Sequence, residues 1–207
     1  MTHLSPTQMS SLLERAKFVD KTGRLHLMIL LGWRHGLRAS EICTLRVGDF
    51  DLQGACNDNV DLPDSYSRGR NGNSNRNSAS AVGYLTVARL KGSLRTTQPL
   101  FPDELAILPS LLRGKGPTEF VFPGRKPGTA FSYAGFYDRF RELCHDLAFP
   151  EHLGHPHVLK HTTGMTVIKQ GIENCRQYLG HRSIASTGAY LKVSDAEASK
   201  AAFAAFA

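Results

Sequence analysis

Six side chains stand out for what their types and spacing could do: Arg38, Lys91, His157, Lys160, His181 and Tyr190. Tyr190 is a phenol with an ordinary pKa of about 10, so it serves as a nucleophile near neutrality only in basic surroundings. It follows the triplet Leu179-Gly180-His181 by nine residues. Between His157 and Lys192 stand five cationic residues, Lys160, Lys169, Arg176, Arg182 and Lys192, against one acid, Glu173. Three histidines, His157, His161 and His181, lie in the same stretch. This local excess points to a polyanionic partner more strongly than the total charge does. His157 and Lys160 are three apart, so a helix puts both on one face. Arg38 lies in Gly36-Leu37-Arg38-Ala39-Ser40-Glu41, and its planar fork suits bidentate contact with a phosphate. Cations gathered in this way could stabilise charge that develops on a phosphoryl group under attack.

Taken singly, each of these residues also has a structural use. Arg38 could pair with Glu41 at a surface, and Lys91 could be an ordinary turn residue. The histidines could cap helices or satisfy a core, and Tyr190 could pack at the rim of an amphipathic segment. His161, off the face shared by His157 and Lys160, is assigned to structure. His152 and His155 are assigned to a loop, and Trp33 to the core. Chemistry is favoured by the ordered set, not by any one member.

The elements that must position these groups read mostly as helices. Ser5-Pro6-Thr7-Gln8 predicts a capped helix start, continued by Met9, Leu12, Leu13 and Ala16 and broken at Thr22-Gly23. The span 24–35 is apolar almost all round, which predicts a buried central helix that Gly36 ends. A short helix is expected from Ser40 to Leu45, with Ser40 as its cap. Asp49 to Leu52, Gly83 to Leu90 and Thr96 to Phe101 read as strands. Lys91-Gly92-Ser93 then reads as a hairpin turn with Lys91 at its tip. Further helical patterns cover about 103–113, 132–148, 156–170, 173–179, 184–193 and 195–206. The last is Ala-rich, with Phe203 and Phe206 spaced for one face. Residues 54–81, where Arg68, Arg70 and Arg76 stand among Gly, Asn and Ser, predict a disordered surface insertion. The expected fold is mainly α with a small antiparallel β-sheet.

Bulk properties agree with a globular chain of one domain. The 207 residues suffice for a substantial core, and 41% hydrophobic with 21% charged content is ordinary for a soluble protein. No apolar run is long enough to span a bilayer, and the N-terminus lacks a charged-then-apolar signal, so a cytoplasmic location is expected. Cys43, Cys56, Cys144 and Cys175 are scattered without a CxxC pair, which favours buried reduced thiols. Neither a carboxylate cluster nor an HExxH-like element is present to hold a metal ion, so no cofactor is expected. The net charge of +7 is compatible with a nucleic-acid partner without requiring one.

In order and spacing, the segments at 36–41, Lys91, 157–162, 179–181 and Tyr190 resemble the tyrosine recombinase (phage integrase) family over nearly the whole chain. The stretches His35 to Cys43, Arg89 to Gly92 and His155 to His161 look still more like the short fimbrial phase-variation DNA invertases. The resemblance implies the family's catalytic fold and a metal-independent strand exchange on double-stranded DNA. Tyr190 would form a covalent 3′-phosphotyrosyl link. Arg38, His157, Lys160 and His181 would contact the phosphate, and Lys91 would protonate the departing 5′ hydroxyl. Glu41 would orient a basic neighbour, and Arg182 would add a DNA contact. A tetrameric synapse on DNA and an accessory DNA-bending protein are also implied. So is inversion, or integration and excision of a mobile element.

The chain departs from the family pattern in two ways. Lys160 stands where the family has a second arginine, keeping the charge and losing the fork. The catalytic domain also starts almost at residue 1, without the N-terminal domain that many relatives carry; a C-terminal helix at 195–206 could instead dock on a neighbouring protomer. Two other functions stay open: a catalytically impaired DNA-binding regulator or accessory protein on the same fold, and a type IB topoisomerase-like enzyme.

Overall fold

The computed structural model describes residues 3–52, 83–90 and 94–188. Helix α1, Pro6–Val19, begins as its sequence dictates: Ser5 accepts from the Gln8 amide and the Gln8 side chain accepts from the Ser5 amide. Met9, Leu12 and Ala16 form its buried stripe. Helix α2, Arg24–Arg34, is buried from Leu25 to Gly32, and it packs against α1 and against the later helix α6, His157–Val167. An apolar surface on every side leaves such a helix nowhere to lie but the centre of the core. The short helix α3 spans Ala39–Cys43 with Arg38, not Ser40, at its N-cap. The start moves back because the Glu41 carboxylate, rather than a serine hydroxyl, takes up the free amide there.

The sheet has three strands in the order β1 (Phe50–Asp51), β2 (Tyr84–Val87) and β3 (Thr96–Pro99), each antiparallel to its neighbour. They fall inside the expected spans and are shorter. Helices α4 (Pro102–Leu112), α5 (Tyr133–Asp146), α6, α7 (Ile172–Leu179) and α8 (Ala185–Gly188) follow. The core joins α1, α2 and α3 to the sheet and to Phe122, Phe136, Phe140, Val158 and Leu159. Cys43, Cys144 and Cys175 are buried free thiols, and burial pushes Cys43 and Cys144 up to about 12. Among the described residues, no helix is long and apolar enough to cross a membrane. The 54–81 insertion, Cys56, Lys91, Tyr190 and the 195–206 helix lie outside the described residues.

Candidate active site

The site is built around the turn that ends α2. Gly36 has φ +59°, and a Cβ there would meet Leu179 Cδ2 at 2.5 Å, so both the backbone and the packing call for glycine. The Gly36 carbonyl accepts from Lys160 Nζ at 3.1 Å and from an Arg89 terminal nitrogen at 3.2 Å. Two residues on, Arg38 donates its amide to Glu41 Oε2 at 2.7 Å and its guanidinium to Glu41 Oε1 at 3.0 Å. Glu41 is buried, whereas 22% of the Arg38 side chain remains exposed. The pair is therefore an anchored cation at a surface, not two solvated charges. Glu41 also accepts the Leu90 amide at 2.8 Å, which ties it to the residue before Lys91. Burial would raise its pKa; the Arg38 and Leu90 amides and the charges of Arg89 and Lys160 prevail and hold it below the usual carboxylate range.

Helix α6 supplies the second set. His157 is its first residue and is solvent-exposed; Lys160, one turn on, is 3% exposed. Loss of hydration, then repulsion from Arg89 and Arg38, pulls the Lys160 ammonium down to about 7. The His157 ring packs edge-on to His161, with centroids 4.7 Å apart. Desolvation, then His161, Lys160 and other nearby basic groups, lowers His157 to about 4. The third set comes from the end of α7. Gly180, at φ +68°, closes the helix in a left-handed turn, and a Cβ there would meet Leu94 O at 2.9 Å. The turn delivers His181, which is 8% exposed and hydrogen-bonds through Nδ1 to Thr187 Oγ1 at 3.0 Å. Burial, then Lys160, Arg38 and Arg89, lowers His181 to about 4.

The charges of Arg38 and Lys160 reach both His157 and His181, and that of Arg38 reaches Lys160, so the four lie in one cationic pocket. Arg182 is exposed next to His181. Lys91 follows Leu90, the last described residue after β2, and Tyr190 lies two residues beyond the last described residue of α8. Sequence reasoning assigned no role to Arg89, which is buried at the centre of this pocket. Its signal was the alternation Leu85, Val87, Arg89, which carries the inward face of β2 two residues past the strand's end.

Residues 2–197 match the phage integrase family. The chain is 30% identical over 191 residues to the type 1 fimbriae regulatory protein FimB of Escherichia coli strain K12, covering 89% of this chain and 80% of that one. It is 26% identical over 201 residues to a tyrosine recombinase of Pseudothermotoga lettingae, covering 94% of this chain and 57% of that protein. Among solved structures, XerA recombinase superposes with a TM-score of 0.65 at 22% identity, over 96% of this chain and 62% of that one. The Tn1549 transposon integrase in complex with circular intermediate DNA superposes at 0.70 with 17% identity, over 99% and 67%. The expected mainly helical fold with a small antiparallel sheet is therefore the tyrosine recombinase catalytic fold. The cationic pocket sits in that fold, and the chain belongs to the phage integrase family, the family of the tyrosine-type site-specific DNA recombinases.

Proposed function

We propose that the chain cuts and rejoins duplex DNA by transesterification through Tyr190. The phenol releases its proton to solvent as its oxygen attacks a backbone phosphorus, forming a 3′-phosphotyrosyl bond while the bond to the 5′ oxygen breaks. The departing 5′ oxygen takes a proton, with Lys91 as donor. A 5′ hydroxyl from another strand then attacks the same phosphorus, returning its proton to Lys91, and releases the tyrosine, which takes a proton from solvent, so each bond broken is replaced by one formed. Arg38 gives charge to the non-bridging oxygens, and the neutral rings of His157 and His181 each offer one N–H. Lys160 adds charge from below once the phosphate stabilises its proton, and Glu41 aims Arg38. Arg182 contacts the neighbouring backbone. The reaction serves DNA inversion or integration and excision, in a synapse of four protomers and with help from a DNA-bending protein.

The observation that carries this proposal is the meeting of Arg38, His157, Lys160 and His181, from three separated segments, in one pocket. The test is covalent trapping on nicked duplexes tiled from the DNA beside the gene. A denaturation-resistant protein–DNA adduct is expected from the wild type and not from Tyr190→Phe. An adduct that survives in Tyr190→Phe would remove Tyr190 from its role. One observation favours a second function, that of a DNA-binding regulator: Lys160 is bonded to a backbone carbonyl and turned from solvent. DNA binding without an adduct in any variant would select it.

A further inference from the structure

Arg89 is buried, with no exposed side-chain surface, so it cannot touch a bound DNA strand in this arrangement. Yet it is bonded to the Arg38 turn, to β3 and to the end of α7, and it shares the Gly36 carbonyl with Lys160 of α6. Its Nε donates to Thr96 Oγ1 at 2.9 Å on β3. One terminal nitrogen donates to Gly36 O at 3.2 Å and lies 3.6 Å from Glu41 Oε2. The other donates to His35 O at 2.7 Å and to Tyr178 O at 3.3 Å, near the end of α7. The guanidinium thereby makes four hydrogen bonds and one ion pair in a fixed fork, which a lysine's single ammonium cannot reproduce.

The consequences reach each candidate group. Gly36 and His35 open the turn that carries Arg38. Glu41 holds both Arg38 and Leu90, the residue before Lys91. Tyr178 precedes Gly180 and His181 by two and three residues. Lys160 shares the Gly36 carbonyl with Arg89. A buried cation that no acceptor set surrounded would be strongly unfavourable, so the four acceptors, the Glu41 carboxylate and the arginine are coupled in the fold.

We propose that Arg89 is a positioning residue for strand cleavage, holding the Arg38 turn, the strand leading to Lys91, the His181 turn and Lys160 in one register. The inference rests on the strand-transfer function proposed above and adds a residue that acts through the others. Its charge adds a second effect. Arg89 faces Lys160 together with Arg38, Glu41 and Cys175, and of these Arg89 contributes most to lowering the ammonium's proton affinity.

The test compares Arg89→Lys, which keeps the charge and loses the fork, with Arg89→Met, which loses both. Single-turnover cleavage of a nicked duplex is measured at matched folded fraction. Both variants are expected to cleave about tenfold to a hundredfold more slowly, with DNA affinity within about threefold of wild type. The titration of Lys160 is followed without DNA by nuclear magnetic resonance of labelled lysine, assigned with Lys160→Arg. Its midpoint is expected to move to higher pH in Arg89→Met and to stay in place in Arg89→Lys. A merely structural role would lower the melting temperature and leave that midpoint alone. Wild-type cleavage by folded Arg89→Met, or an unmoved Lys160 midpoint in it, overturns the proposal. If Arg89→Met does not fold, Thr96→Val removes one acceptor only, and an unchanged cleavage rate there overturns it. A wild type that forms no Tyr190 adduct rejects the function instead, while the Lys160 titration still decides on Arg89.

Discussion

Lys160 shows what one side chain decides. A lysine with a pKa near 7 is only partly charged at neutral pH, whereas an arginine at that position is always charged. If its charge stabilises the phosphate, cleavage by the wild type falls as pH rises beyond the neutral range, because the proton is lost there. Lys160→Arg is expected to remove that fall and to raise the rate above neutrality by about tenfold, checked in a pH–rate profile of the trapped adduct. An unchanged profile would show that position 160 does not limit the reaction. His181 makes a prediction about stability. Its folded pKa of about 4 lies below the ordinary value of 6.5, so the unfolded chain binds the proton more readily. Its contribution is complete above about pH 6.5 and is lost as pH falls through about 4. His181→Gln should therefore flatten the acid limb of unfolding by roughly 1–3 kcal/mol, measured by denaturant melts between pH 4 and 7.

At the scale of elements, most of the secondary structure was legible because its signals are local. The Ser5 to Gln8 cap, the all-round apolar surface of α2 and the alternation of β2 each need only neighbouring residues. The start of α3 falls at Arg38 because its amide is taken up by the buried Glu41 carboxylate, whose position depends on Arg89 and Leu90 from the distant segment after β2. The close approach at Gly36 is also tertiary, since the atom that excludes a Cβ belongs to Leu179 of α7. Gly36→Ala is expected to cost about 2–4 kcal/mol, from a left-handed backbone and an overpacked contact together. A thermal melt measures this, and a loss below about 1 kcal/mol would show that α7 can move aside without cost.

At the scale of the molecule, a net charge of +7 and the exposed Arg182 beside the site make the salt dependence of DNA binding informative. Each phosphate neutralised should contribute about −0.9 to the slope of log affinity against log salt. Replacing exposed Arg182 with glutamine is expected to reduce that slope by about one; the buried Arg89→Lys should leave it unchanged. A titration at several salt concentrations checks both. The sequence by itself determined the helix and strand types and the family, because periodicity, turn chemistry and the order of short motifs are all written along the chain. Only the tertiary structure decided that His157 stands in solvent while Lys160, three residues away, is buried against a carbonyl. Only it decided that Arg89 joins the Arg38 turn, β3 and the end of α7. Burial and proton affinity depend on what other segments bring to the same point, and those partners lie dozens of residues apart along the chain.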